Sequence, residues 1–176
     1  MQSIATVLMC VLAAVAYGIA HDQVTARVCV EYFTVGHPPV FETDDPTLLG
    51  LGWGVIATWW VGLLLGIPLA IVARAGSRPR RTVGSLVRPV AWLMVVTAAC
   101  ALVAGFIGWL LARSGVVFLV GPIANELPPE RHTPFLADLW ARSASYLVGF
   151  AGGFVVLVRV WRGRRRPSLT LRAPEE

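Results

Sequence analysis

The residues best suited to chemistry are concentrated in one polar stretch, residues 21–45, which lies between two long apolar segments. A second polar segment, residues 114–133, carries one more histidine. Imidazole and carboxylate groups together suit Zn, Cu, Fe or Mn. If the two segments fold against each other, they supply a set of candidate metal ligands: His21, Asp22, Glu31, His37 and His132.

Ordinary structural roles account for the same residues. A histidine at the C-terminus of a helix, as expected for His21, is favoured by the helix dipole without any ligand. His37 precedes two prolines, which is typical of a turn. The sequence contains no His-Glu-x-x-His motif, no nucleophile elbow and no phosphate-binding glycine loop. The sequence therefore identifies no catalytic residue, leaves enzymatic activity open, and predicts no cofactor other than a transition metal under the metal hypothesis.

The three cysteines do not form a redox motif. Cys10 and Cys100 lie within apolar runs, where a free cysteine behaves as a small hydrophobic residue. Cys29 lies in the polar stretch, and the sequence has no Cys-x-x-Cys spacing, which argues against a thiol–disulfide enzyme. An intermolecular disulfide through Cys29 remains an alternative to a free thiol.

The elements that position these residues are those of a membrane protein. Hydrophobic residues make up 56% of the chain and charged residues 14%. The apolar residues form four runs of membrane-spanning length. The predicted fold class is an all-α integral membrane protein, with a four-transmembrane-helix bundle over residues 1–161. The predicted helices cover residues 3–20, 46–73, 89–112 and 134–161.

A small β-containing extracytoplasmic cap is expected from the two polar segments, 21–45 and 114–133. Residues 24–33 alternate in a period of two with β-branched and aromatic side chains, which is typical of a strand. Residues 115–123 are apolar and β-branched, so they form either a second strand or a segment at the membrane interface. Asp45 followed by Pro46 predicts a capped helix start.

The net charge of +5 comes from arginines beside the apolar runs, a placement that argues against a nucleic-acid partner. The connector 74–88 and the basic tail 162–176 carry most of them. By the positive-inside rule both termini are cytoplasmic, in a multi-pass protein of the plasma membrane. The same segments supply candidate contacts to lipid headgroups: Arg78, Arg80, Arg81, Arg162, Arg164, Arg165 and Arg166.

Small residues within the runs predict close helix packing. This packing is expected either within the monomer or between copies of the chain. The residues concerned are Gly62, Gly66, Gly105, Gly108 and Gly149. Asp138 and Arg142 are four residues apart and are expected to pair on an exposed turn of the fourth helix. The predicted spans themselves are almost free of ionisable residues, which disfavours an ion-conducting monomer.

Two hypotheses of function follow. The first is a non-catalytic membrane protein whose outer cap binds another membrane protein or assembles an oligomer. The second is an extracytoplasmic metal site on a membrane protein, serving an enzyme or a transporter. Replacing His21 and His37 with alanine separates them, because only a metal site requires both imidazoles.

Overall fold

The computed structural model describes residues 1–164, which form six α-helices and no β-strand. The helices are α1 Gln2–Val28, α2 Glu31–Thr34, α3 Pro46–Arg74, α4 Val83–Arg113, α5 Pro122–Glu126 and α6 Pro129–Arg162. Four of them, α1, α3, α4 and α6, are long and apolar enough to cross a membrane, which indicates a multi-pass membrane protein. Arg165, Arg166 and the rest of the predicted tail lie outside the described residues.

The four long helices form a bundle. α1 packs mainly against α3, and α4 packs mainly against α6, while smaller contacts join α1 to α4 and α3 to α6. Gln2 accepts a hydrogen bond from the Val83 N–H at 3.1 Å, and Arg164 donates to the Pro79 carbonyl at 2.8 Å. These bonds bring the N-terminus, the 75–82 connector and the end of α6 together at what we call the arginine end. The opposite end, which contains residues 29–45 and 114–128, is the cap end.

Glycines allow the closest helix contacts. A Cβ atom added to Gly62 would lie 2.5 Å from the Cα of Val11, so α3 approaches α1 at a distance that only glycine permits. The other glycines predicted to pack include Gly66, which lies against α1, and Gly105 and Gly108, which lie against α6. Gly149 differs, because an added Cβ would meet no atom within 4 Å. The contacts seen are within one copy of the chain.

The predicted β-containing cap is wrong. Residues 24–28 continue α1, and Glu31–Thr34 form the short helix α2. The physical reason is a helical pattern that overlaps the period of two: Asp22, Thr25, Ala26 and Cys29 are spaced i, i+3, i+4, i+7 and are all buried. Burying that one face against the other helices favours a helix over a strand. Residues 115–121 likewise form no strand.

Two helices begin earlier than predicted. α4 begins at Val83 and α6 at Pro129, which leaves Pro89 and Pro134 inside the helices. Proline is favoured in the first turn of a helix, and in α6 that position is taken by Pro129 and not by Pro134. α3 begins as predicted: Pro46 is its first residue, and the Asp45 carboxylate accepts a hydrogen bond from the Leu48 N–H at 2.8 Å.

Candidate functional site

The five predicted metal ligands are distributed over three helices and a loop. Within residues 1–164 no three His, Cys, Asp or Glu side chains are grouped so that they would hold a metal ion. Glu31 instead accepts a hydrogen bond from Arg131 at 2.8 Å, and His132 Nε2 lies 3.1 Å from the Leu127 carbonyl. The geometry therefore gives the metal hypothesis no support.

His37 also has a local role. Its Nδ1 lies 2.7 Å from the Tyr32 carbonyl oxygen, a distance at which the N–H donates to that oxygen. Its ring lies against Trp53, with 4.6 Å between the ring centroids. Burial lowers the pKa of His37, and the Arg142 charge lowers it further, although the bond to Tyr32 opposes both. His37 is thus part of the packed cap.

The structure brings together a different set of charges. Arg142 of α6 donates a hydrogen bond to Asp22 of α1, and the Asp22 side chain is 1% exposed. The sequence predicted instead that Arg142 pairs with Asp138 on an exposed turn. That prediction is wrong about exposure, because Asp138 is only 4% exposed. A buried ion pair needs further hydrogen bonds to offset the loss of hydration.

Those further bonds are incomplete. Four buried polar atoms in this region lack a hydrogen-bond partner among the described residues: His21 Nε2, Asp22 Oδ2, Asp138 Oδ2 and Arg142 Nε. Most buried polar groups in proteins are paired, so an unpaired group requires an explanation. Four unpaired polar atoms in one region distinguish that region from the rest of the described bundle. We call His21, Asp22, Asp138 and Arg142 the charged cluster.

A small internal cavity of about 50 Å³ borders the charged cluster. Its polar lining includes His21, Asp22 and Arg142, with Tyr17, whose hydroxyl is 2.7 Å from the Ser145 hydroxyl. A cavity of this size has room for water, which needs roughly 10–15 Å³ and two to four polar partners. Its accessible wall is mostly apolar, however, so it supplies no evident partner to the unpaired atoms of Asp22 and Arg142.

A larger cavity of about 330 Å³ lies on the other side of the cluster, and we call it the lateral cavity. Residues of α1, α4 and α6 line it, and most are apolar, including Val24, Ala98 and Leu102. Leu102 is exposed on the outer surface of the bundle, so the cavity opens towards the side that faces lipid. Asp138 and His21 supply polar groups in its wall.

Aromatic residues cover the charged cluster at the cap end. The Arg142 guanidinium lies 5.3 Å from the centre of the Tyr32 ring and 5.8 Å from that of Phe33, within the range of cation–π attraction. Phe33 stacks on Trp53, and Phe135 lies against Tyr32. The cap therefore forms a second hydrophobic core directly over the buried charges.

Cys29 and Glu31 form the edge of this core. The Cys29 thiol is fully buried and lies 3.4 Å from a Glu31 carboxylate oxygen. Burial raises the pKa of Cys29 to about 12, and the bond to Glu31 contributes. Burial opposes ionisation of Glu31, but its own N–H, the Cys29 thiol and Arg131 outweigh that effect and lower its pKa. A buried protonated thiol is a poor nucleophile and a poor partner for an intermolecular disulfide.

The predicted headgroup arginines divide into two groups. Arg164 is buried, and its guanidinium donates to the carbonyls of Val72, Ala75, Arg78 and Pro79. It therefore joins the connector to the end of α6 and is not exposed to lipid. Arg78 and Arg81 also bind backbone carbonyls. Arg78 is partly buried, whereas Arg80, Arg81 and Arg162 are exposed.

Comparison with known proteins found no family model that matches the chain, and no curated protein and no solved structure that is similar to it.

Proposed function

We propose that this chain is a non-catalytic binding protein of the membrane, which takes an amphiphilic molecule from the bilayer into the lateral cavity. The ligand has an apolar chain and one polar end that carries a hydroxyl or an amine. The observation that supports this proposal is Asp138, which lines a cavity that opens towards lipid and whose Oδ2 has no hydrogen-bond partner among the described residues.

The size and lining of the cavity support a ligand of this class. At about 330 Å³ it lies at the lower end of the range of small-molecule sites. Such sites are mostly apolar and contain a few polar groups that orient the ligand. Asp138 and His21 both lie on this wall, and a carboxylate accepts hydrogen bonds from a hydroxyl or an ammonium.

The charged cluster explains how an acidic side chain is kept at this position. Charged residues between membrane helices are costly and commonly mark a site of function. Arg142 is bound to Asp22, so the cluster contains two acids and one strong base, and Asp138 forms no ion pair within residues 1–164. A donor on the ligand would give Asp138 Oδ2 the hydrogen-bond partner that it lacks among the described residues.

The test uses the full chain in phosphatidylcholine vesicles with a photoactivatable long-chain primary alcohol. We expect crosslinks on the peptides that line the lateral cavity, and we expect hexadecanol to compete and hexadecane not to. Ala98→Phe fills the cavity and abolishes the labelling, because Ala98 lines it. Val103→Phe is the matched control, since Val103 is exposed on the same helix and lies outside the cavity lining.

Two results would overturn the proposal. One is labelling that is spread evenly over the outer surfaces of all four helices, which is what bulk lipid produces. The other is equal competition by hexadecane, which would show that Asp138 and His21 do not select the polar end.

We also propose that the arginine end faces the cytoplasm and that the membrane is the plasma membrane. The support is the positive-inside rule, because the connector and the end of α6 contain arginine and no acid. A C-terminal epitope tag should be accessible only after cells are permeabilised. A tag that is accessible on intact cells would reverse the orientation.

A second candidate function is assembly with another copy of the chain through the cap end. Val116, Phe118 and Val120 alternate along the connection between α4 and α5 and are 67%, 70% and 71% exposed. Gly115 and Gly121, both with positive φ, bound this segment. Three exposed apolar side chains outside the long helices are a feature of interaction surfaces.

Light scattering on the protein in detergent tests this second candidate. We expect an oligomer that Phe118→Ser dissociates, while Thr34→Ser, another exposed position at the cap end, leaves it intact. A monomer at every concentration would exclude self-assembly through this segment.

A further inference from the structure

A groove of about 470 Å³ lies between α4 and α6, closer to the arginine end than the lateral cavity is on both helices. Arg88 and Arg159 line its rim and are exposed. Its floor is apolar and includes Val96 and Val155. We propose that this groove binds one anionic phospholipid, with the phosphate at the two arginines and an acyl chain along the floor.

The lining residues of the groove are spaced so that they form one face on each of the two helices. On α4 Arg88, Trp92 and Val96 are four residues apart, so they lie on one face at steps of about 6 Å along the axis. On α6 Val155 lies one turn before Arg159, again on one face. Each helix therefore has a positive charge at the arginine end of the groove and apolar side chains towards the middle of the bundle. That order matches the headgroup and the acyl chain of a phospholipid.

The charge balance selects an anionic lipid. Among residues 1–164 no acidic side chain pairs with Arg88 or Arg159, because the two ion pairs there are Asp22–Arg142 and Glu31–Arg131. Basic pockets between membrane helices bind anionic headgroups. The other arginines at this end differ: Arg164 and Arg78 donate to backbone carbonyls. Arg81 lines the groove and donates to Gly163, which leaves its other N–H groups for the phosphate.

Native mass spectrometry of the full chain in mild detergent tests this proposal. The protein is mixed with phosphatidylglycerol and phosphatidylcholine of identical acyl chains. We expect one phosphatidylglycerol to be retained in preference to phosphatidylcholine. Each arginine near a phosphate contributes about fivefold. The double variant R88Q/R159Q should therefore lose about tenfold or more of that preference.

The matched control is R80Q/R162Q, which removes the same charge at the same end from exposed residues that do not line the groove. It should retain the preference. An equal loss in both double variants would overturn the proposal, because it would show that diffuse charge attracts the lipid. So would equal retention of the two lipids by the unaltered chain.

A third variant tests the apolar floor without changing charge. Val96→Trp places a large side chain in the groove at a residue that is already exposed. We expect it to release the bound phosphatidylglycerol while circular dichroism and the elution volume show an intact bundle. Retention of the lipid in this folded variant would contradict a site that holds the acyl chain.

Discussion

Arg142 binds Asp22 across the bundle, joining two helices through residues 120 positions apart in the chain. The Asp22 side chain is almost fully buried, and the same guanidinium lies under the rings of Tyr32 and Phe33. One arginine therefore links α1, α6 and the cap. The charged cluster, the lateral cavity and the aromatic core are coupled through this residue.

We expect substitution of either partner to destabilise the bundle. Asp22→Leu or Arg142→Leu leaves an uncompensated buried charge, at a cost of about 3–5 kcal/mol in the free energy of unfolding. The double variant removes both charges and should recover most of that loss. Unfolding by SDS in mixed micelles measures the three variants. Arg131→Gln is the control, since its half-exposed pair with Glu31 should contribute less than about 1 kcal/mol. Additive losses in the double variant would show that the two side chains do not stabilise each other.

Cys29 is expected to be unreactive in the folded protein. A pKa of about 12 leaves on the order of one thiolate in ten thousand at pH 8, and the sulfur is fully buried. In a variant that retains only this cysteine, maleimide should react slowly until SDS unfolds the chain. Rapid modification of Cys29 in the native protein would mean that the cap opens readily.

The cap should lose stability as the pH falls. Because burial lowers the pKa of His37, the unfolded chain takes up a proton near pH 6.5 before the folded chain does. The contribution of the neutral ring is therefore complete above about pH 6.5 and decreases below it. Titration of the His37 ring by NMR should give a pKa below that of a free histidine, and His37→Gln should weaken the pH dependence of unfolding between about pH 7 and 5. A normal pKa for the ring would contradict its burial against Trp53.

The sequence predicted well what depends on local signals. The four apolar runs and the Asp45–Pro46 cap each lie within one short segment, and α3 begins at Pro46 as expected. The cap was mispredicted because this part of the chain fits both the period of two of a strand and the i, i+3, i+4, i+7 spacing of a helix. Choosing between them requires the knowledge that Asp22, Thr25 and Cys29 face other helices. The partner of Arg142 was mispredicted for a similar reason. Asp138 lies four residues before Arg142 in the sequence, whereas the actual partner, Asp22, is close only because α1 packs near α6.

Glycine has opposite surroundings at two positions of the bundle. At Gly62 a Cβ would lie 2.5 Å from Val11 Cα and 2.9 Å from the Cys10 carbonyl oxygen, and neither backbone can move without separating α1 from α3. Gly62→Ala should therefore cost about 1–3 kcal/mol in the free energy of unfolding. At Gly149 an added Cβ meets nothing within 4 Å, so Gly149→Ala should be neutral or stabilise the helix by up to about 1 kcal/mol. SDS unfolding of both variants makes the comparison. A loss at Gly62 alone would support the close contact between α1 and α3. Equal losses at the two positions would contradict it.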